Sequence, residues 1–284
     1  MLAQAATGLP GVQVRRNGKL AVDTSVLTED AVVDSQLNDA SWTGATTFLS
    51  AIPGRRRPIK LQLTGPVTLG LALLEGGAPA SVAFPVASAA VAACAASLLE
   101  RARRQVPHAG IVVFLDEPGL LHATACGLPL TSAEVVDLAS GALASMGPDV
   151  VSGLHSCGQG DWRVALQAGP DILSIPVDDR LVDDAGAVAS YLEGGGWVAW
   201  GAVPTDRPIG DDPDVLWRRL VSLWCDLARA GCDPALLRRQ ALISPACGLA
   251  HHGVSQAEWV LRLCRRIGER VEDQAVAARL SIGA

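Results

Sequence analysis

The fold is decided by residues 110–158, which read GIVVFLDEPGLLHATACGLPLTSAEVVDLASGALASMGPDVVSGLHSCG. Short, nearly continuous apolar runs begin and end this stretch, and such runs are typical of strands that are buried on both faces. Between the two runs, Thr131 and Glu134 have the spacing of a capping box, which predicts the start of a helix. A strand, a helix and a second strand in this order predict a parallel sheet with crossover helices.

The same alternation continues on both sides of this stretch. Four further apolar runs predict strands, and they are IKLQLTGP (59–66), DILSIPV (171–177), GWVAWGAV (196–203) and ALISPACG (241–248). Pairs of an N-cap Asp and a following Pro predict helix starts at 212–213 and 233–234. Ser255 and Glu258 have the spacing of a second capping box.

Polar residues, cysteines, glycine and proline cluster at the carboxyl ends of these runs. The sequence contains no glycine-rich phosphate loop. A barrel collects its chemistry at that rim, whereas a doubly wound sheet more often carries one such loop. We therefore predict an α/β fold, a (β/α)8 TIM-type barrel that lacks or truncates its first strand, because only six parallel strands are clear. A seventh strand is expected near 12–22, where Asn17-Gly18 predicts a hairpin turn. Residues 1–284 are expected to form one domain, with an irregular part at 1–54 and a core at 55–284.

Composition excludes several classes of protein. The 284 residues are 49% hydrophobic and 18% charged, which excludes a disordered chain, and the net charge of −6 makes nucleic acid a poor partner. The uncharged stretch 76–99 is long enough to span a bilayer, but it is mostly Ala, Ser and Gly and contains Pro85. We predict a core helix there. Seven scattered cysteines suggest no disulfide framework, so a cytoplasmic protein with reduced thiols is expected.

Three residues at strand ends carry the candidate chemistry. His155 and Cys157 are two positions apart at the end of a predicted strand, so their side chains point the same way. Cys247 ends a later strand, and in a barrel distant strand ends meet at the rim. One imidazole and two thiolates suit Zn²⁺, and three protein ligands with an open fourth position are typical of a catalytic site. The alternative is a chance pair in which the cysteines are merely small apolar residues.

Zinc with two thiolate ligands can hold a third, substrate thiolate at neutral pH, although a free thiol titrates near ~8.5. A thiolate held in this way is a nucleophile without a separate base. The ligand set therefore favours transfer of an alkyl group to sulfur.

Four motifs occur in order along the chain, and they are LTGPVT (63–68), LDEP (115–118) with GLPL (127–130) further on, HSCG (155–158) and SPACGL (244–249). From about residue 55 to its end, the chain thereby resembles the C-terminal catalytic barrel of the cobalamin-independent methionine synthase family. It resembles the short single-barrel actinobacterial form still more. The wider superfamily includes uroporphyrinogen decarboxylase.

The resemblance implies a barrel that binds homocysteine through zinc and methylates its sulfur to give methionine. By motif, His155, Cys157 and Cys247 match zinc ligands of the family, and Asp116 matches the aspartate that holds the amino group of homocysteine. A carboxylate suits an ammonium group, although an Asp close to a Pro is also common in turns. No residue of the chain is assigned a catalytic role.

The chain departs from the family pattern at several positions. The family's remaining zinc ligand is a Glu, and Pro176 stands in its place, so Asp178, Asp179 or water would have to substitute. The segment LGLALLEG (69–76) lacks the Trp that stacks on folate, and GAVPTDRP (201–208) lacks the family's catalytic His. These departures favour a methylated corrinoid or corrinoid protein over methyltetrahydrofolate as the methyl donor.

The leading hypothesis is thus a zinc-dependent S-methyltransferase that acts on a small-molecule thiol, homocysteine. The alternatives are a methyltransferase for another thiol and a degenerate, non-catalytic barrel that binds a ligand or partner. Decarboxylation of a porphyrinogen is less favoured, because the arginines at 55–57 precede their strand and lie away from the rim. No nucleic-acid or membrane partner is expected, and a homo-oligomer that completes the barrel is considered.

Overall fold

The computed structural model of the protein describes residues 2–31, 33, 39–124, 127–158, 160–206 and 212–282, with side chains described for all of these except 39–41 and 275–282. Within these ranges the fold is mixed α/β, with a six-stranded parallel sheet flanked by helices. The strands, of which the first two form a separate antiparallel pair, are β1 (Val12–Val14), β2 (Leu20–Val22), β3 (Ile59–Thr64), β4 (Ile111–Asp116), β5 (Val150–His155), β6 (Ile172–Pro176), β7 (Trp197–Val203) and β8 (Ala241–Pro245).

Helices occupy most of the segments between the strands. They are α1 (Leu2–Ala6), α2 (Asp39–Ala51), α3 (Pro66–Glu75), α4 (Ala80–Gln105), α5 (Ser132–Ala144), α6 (Trp162–Gln167), α7 (Ala185–Glu193), α8 (Pro213–Arg229), α9 (Pro234–Arg239) and α10 (Val254–Ile282). Two short 3-10 helices, Leu120–His122 and Asp179–Asp184, follow β4 and β6. The chain forms two compact units, Met1–Pro170 and Asp171–Ala284. The expectation of a single domain stays a prediction.

All six predicted parallel strands are confirmed, but a complete (β/α)8 barrel is not shown. The predicted seventh strand near 12–22 is instead the hairpin of β1 and β2, which pair antiparallel with Val14 opposite Leu20. Its turn contains Gly18 at a φ of 81°, a left-handed conformation that suits Gly. The Asn17-Gly18 prediction of a hairpin was therefore right, whereas its assignment to the parallel sheet was wrong.

Most of the predicted helix starts are confirmed. Thr131 and Glu134 form a capping box at α5, and the Asp212 and Asp233 side chains cap α8 and α9 ahead of their first-turn prolines. The predicted capping box at Ser255 is wrong, because α10 begins at Val254 and Ser255 lies inside the helix.

In the first unit, the alternation of β3 separates two faces of the sheet. Ile59, Leu61 and Leu63 are buried, and β3 packs against α4 on that side. Lys60 and Gln62 belong to the opposite face, where Thr64 pairs in register with Asp116. At the carboxyl end of the strands, this second face carries the predicted site residues Asp116 and His155.

Helix α4 includes most of the uncharged stretch of the sequence. By length and composition it is the one described helix that could cross a membrane, and 56% of its most apolar window is buried inside the protein. Its buried residues include Phe84, Val91 and Leu98. A mostly buried apolar helix is what the core of a soluble protein also contains, which agrees with the predicted core helix.

In the second unit, β6, β7 and β8 pair in parallel, with Ser174 opposite Ala199 and Ala199 opposite Leu242. Trp200 is fully buried and makes an edge-to-face contact with Trp224 of α8, with ring centroids 6.0 Å apart. The side chain of Gln240 anchors the start of β8, since its Nε2 donates to the carbonyls of Leu192 and Gly196.

Candidate metal centre

His155 is the last residue of β5, and Cys157 follows it by two positions. The strand can approach β4 closely because residue 153 is Gly. A methyl group there would come within 2.6 Å of the Phe114 ring. In register, His155 pairs with Asp116, so two polar residues lie side by side at the ends of neighbouring strands.

Cys247 lies two residues beyond the end of β8. The backbone N–H of Ala246 donates to the carbonyl of Val203, which extends the pairing of β7 and β8 up to the residue before the cysteine. Gly201 permits this approach, because a methyl group at that position would come within 2.6 Å of the Ala246 Cα. The cysteine is thus carried by a segment that is held against β7.

The ligand atoms of His155, Cys157 and Cys247 all lie within 4.8 Å of one another, so the three residues could hold a metal ion. In a tetrahedral zinc site, Zn–S near ~2.3 Å and Zn–N near ~2.0 Å place ligand atoms roughly 3.3–3.8 Å apart. Contraction by about 1 Å would bring the three atoms onto one ion. One imidazole and two sulfurs are also ligands that zinc prefers.

No carboxylate joins this group within the part of the chain that the structure describes. Pro176 ends β6 and has no side chain that could bind a metal. Asp178, which the sequence offered as a substitute, caps the following 3-10 helix and accepts hydrogen bonds from the Arg180 backbone and guanidinium. Arg180 therefore holds the pKa of Asp178 below its usual range, and Asp179 is exposed.

Asp116 ends β4 between Thr64 on one side and His155 on the other. Its Oδ2 accepts a hydrogen bond from Gln62 Nε2 at 3.1 Å. Burial raises the pKa of Asp116 to about 6, and the nearby positive charge of Lys60 acts in the opposite direction. The carboxylate is therefore ionised above neutral pH and is poorly solvated, which favours a cationic partner.

The sequence indicates no role for Glu117 beyond its place in the LDEP motif. In the structure, its side chain anchors the start of α3. Its side chain is 0% exposed, and its two oxygens accept hydrogen bonds from the backbone N–H groups of Val67, at 2.8 Å, and Thr68, at 2.7 Å. These groups belong to the first turn of α3, which a carboxylate stabilises. A methyl group at Gly65 would lie 2.2 Å from Glu117 Oε1, so the fit leaves no room for a side chain at position 65.

The backbone of Glu117 connects this anchor to the candidate site. Its N–H donates to the carbonyl of His155 at 2.8 Å. Burial raises the pKa of Glu117 to about 7, although hydrogen bonds from Thr68 and Val67 oppose that rise. Glu117 thus connects two elements: its side chain binds the first turn of α3, and its backbone N–H binds the end of β5.

His122 is a second residue that sequence reasoning missed. It lies in the 3-10 helix after β4, and a methyl group at Gly158 would come within 3.4 Å of its Nε2. The imidazole thus lies beside the residue that follows Cys157. Its position after LDEP was the only sequence signal, and no motif includes it.

Two further sequence expectations concern the segment after β7 and the cysteines. Arg207 and Pro208, the end of the stretch in which the family's catalytic His is missing, lie outside the described residues. None of the six described cysteines forms a disulfide. The expectation of reduced thiols stays a prediction.

In comparisons with known proteins, neither a family model nor a curated protein matches the chain.

Proposed function

We propose that this protein is a zinc-dependent methyltransferase that moves a methyl group to the thiol of homocysteine and so forms methionine. The observation that carries the proposal is the convergence of His155, Cys157 and Cys247, whose ligand atoms lie within 4.8 Å of one another. The resemblance of four ordered motifs to cobalamin-independent methionine synthase supports the choice of reaction.

His155, Cys157 and Cys247 would hold the zinc ion, and no fourth His, Cys, Asp or Glu among the described residues belongs to the group. When bound there, zinc lowers the pKa of a thiol that binds to it and supplies a thiolate nucleophile at neutral pH. A His₁Cys₂ set with one position for substrate matches a catalytic rather than a structural zinc site.

Asp116 would hold the amino group of homocysteine. It lies in register beside His155, so the carboxylate belongs to a residue next to one of the proposed metal ligands. The poorly solvated carboxylate makes a charge-assisted hydrogen bond to an ammonium group more favourable than one in water.

The methyl donor we propose is a methylated corrinoid or corrinoid protein rather than methyltetrahydrofolate. The methyl group leaves without its bonding electrons, which stay with the donor, and the sulfur supplies the new electron pair. A corrinoid brings its own activation and needs no proton donor from the protein. The sequence of α3 offers no Trp on which a folate could stack.

We further propose a cytoplasmic location, with no nucleic-acid or membrane partner. A homo-oligomer that completes the barrel stays part of the proposal, and light scattering after gel filtration tests it. A monomer would remove that part alone.

The second candidate is a barrel that binds a thiol ligand without turnover. Pro176 and the engagement of Asp178 by Arg180 favour it, because Pro176 stands in place of the family's carboxylate ligand and Arg180 holds one of the possible substitutes. A third, a methyltransferase for another thiol, differs only in its acceptor.

The experiment measures metal content, metal spectroscopy and product formation on the full chain. We expect one zinc per chain, a change in the Co²⁺ spectrum of the cobalt-loaded protein on addition of homocysteine, and methionine from homocysteine and a methylated corrinoid. Cys247→Ala and Cys157→Ala should abolish metal binding, whereas Cys225→Ala, on exposed α8 surface, should leave it unchanged.

Bound zinc without a thiol-dependent spectral change would refute the proposal. A spectral change without product from any donor would favour the non-catalytic candidate. Faster turnover of another thiol than of homocysteine would favour the third.

A further inference from the structure

A chain of hydrogen bonds runs along one face of the first unit toward Asp116. Lys60 Nζ donates to Gln62 Oε1 at 2.6 Å, and Gln62 Nε2 donates to Asp116 Oδ2 at 3.1 Å. A lysine can only donate and a carboxylate can only accept, so the orientation of the Gln62 amide is determined at both ends. The Asp116 carboxylate is thereby held through one of its two oxygens.

Lys60, the start of this chain, is itself held in place. Its Nζ lies 4.7 Å from the centre of the Phe114 ring, a cation–π contact. The ring in turn packs on Gly153, where a methyl group would come within 2.6 Å of it. The hydrogen-bonded chain is therefore built on packed side chains.

Thr64 provides the second polar group of the site. It pairs in register with Asp116, so both residues belong to the same face of the sheet. Only 4% of Thr64 is exposed, and its Oγ1 has no hydrogen-bond partner among the described residues. A buried hydroxyl without a partner is unfavourable by itself, so a group that binds to it would be stabilised.

The chemistry of these groups selects an ammonium ion. The hydroxyl oxygen of Thr64 and Oδ1 of Asp116 are acceptors on one face, and a primary ammonium group has three donors. Gln62 stands between the Lys60 ammonium and the carboxylate, so the lysine orients Asp116 without occupying its position.

We propose that Thr64 and Asp116 together bind the primary ammonium group of the acceptor thiol, and that Gln62 and Lys60 are positioning residues that set this specificity. The inference rests on the proposed function for the identity of the acceptor. It restricts that acceptor to aminated thiols.

The test compares three probes by isothermal titration of the zinc-loaded full chain at about pH 8, where Asp116 is ionised. Homocysteine carries both groups, 4-mercaptobutanoate lacks the amino group, and 2-aminobutanoate lacks the thiol. We expect homocysteine to bind at least about tenfold more tightly than 4-mercaptobutanoate.

Variants identify the residues responsible. Gln62→Leu and Thr64→Val should each weaken homocysteine about fivefold and leave 4-mercaptobutanoate unchanged. Thr64→Val removes a partner of the amino group, and Gln62→Leu removes the group that positions the Asp116 carboxylate. Lys60→Met should act like Gln62→Leu, and Thr64→Ser, which keeps the hydroxyl, should restore the preference. Gln13→Leu, at an exposed position of β1, is the matched control.

Equal weakening of both thiols would show a merely structural role and overturn the inference, as would equal affinity for the two thiols. The proposed function fails by different results, in which no probe binds, or in which 2-aminobutanoate binds as tightly as homocysteine and the thiol contributes nothing.

Discussion

Replacing Glu117 by glutamine should change how the free energy of unfolding depends on pH. The glutamate is fully buried and accepts a hydrogen bond on each oxygen from the first turn of α3. Glutamine has nearly the same shape but cannot ionise, and its NH₂ group cannot accept from a backbone N–H. The substitution therefore removes one acceptor and one titration together.

The magnitude follows from the pKa of Glu117, which burial raises from the usual 4.5 to about 7. Each pKa unit is worth about 1.4 kcal/mol, so this acid provides about 3 kcal/mol of stability below pH 4.5 that is lost as the pH rises through about 7. The sign is that of a group whose pKa is raised in the folded state: protonation stabilises the fold. The variant is neutral at every pH and so lacks this pH dependence, and its unpaired N–H costs about 1–3 kcal/mol at every pH.

We therefore expect wild type to be more stable than Glu117→Gln by about 1–3 kcal/mol near pH 5. This difference should fall by about 2–3 kcal/mol by about pH 8, so that the variant equals or exceeds wild type there. Urea unfolding followed by Trp fluorescence measures both proteins, with a chelator present so that metal binding does not contribute. Glu134→Gln is the control, because this exposed acid has a lowered pKa and its contribution has the opposite sign.

A stability difference that stays constant from about pH 5 to about pH 8, or that grows toward alkaline pH, would refute the reasoning about Glu117. Either result would mean that the carboxylate is as well stabilised in the fold as in water.

Two further substitutions test the packing around the site and in the second unit. Gly65→Ala should destabilise the protein by about 2–3 kcal/mol, seen as a lower urea midpoint, because its methyl group overlaps the Glu117 carboxylate; no loss would contradict the close packing. Gln240→Leu should destabilise by about 2 kcal/mol in the same assay, since the carbonyls of Leu192 and Gly196 lose their donor, and Gln13→Leu on the exposed hairpin should be neutral.

The parallel strands could be predicted from sequence because strands buried on both faces are continuous apolar runs. The run at 110–118 became β4, Ile111–Asp116, and the run at 150–158 became β5, Val150–His155. Local signals alone were less reliable. Asn17-Gly18 predicted its hairpin but not the sheet to which the hairpin belongs, and the Ser255 spacing matched a capping box inside a helix.

His155 and Cys157 could be predicted as a pair because residues two apart in a strand share a face. Gln62 and Lys60 could not, since their relation to Asp116 depends on the register of β3 against β4. A shift by one residue would move Thr64 and Gln62 to the opposite face and break the chain of hydrogen bonds. The register of two strands depends on tertiary structure, and no single sequence motif predicts it.

The contact between Gly65 and Glu117 has a consequence for evolution. A side chain at position 65 and a full-length acid at position 117 exclude each other sterically, since a Cβ would lie 2.2 Å from the carboxylate oxygen. Descendants and ancestors of this chain should therefore change the two positions jointly, with alanine at 65 accompanied by a shorter residue at 117. Position 65 therefore cannot gain a side chain while the glutamate at position 117 is retained.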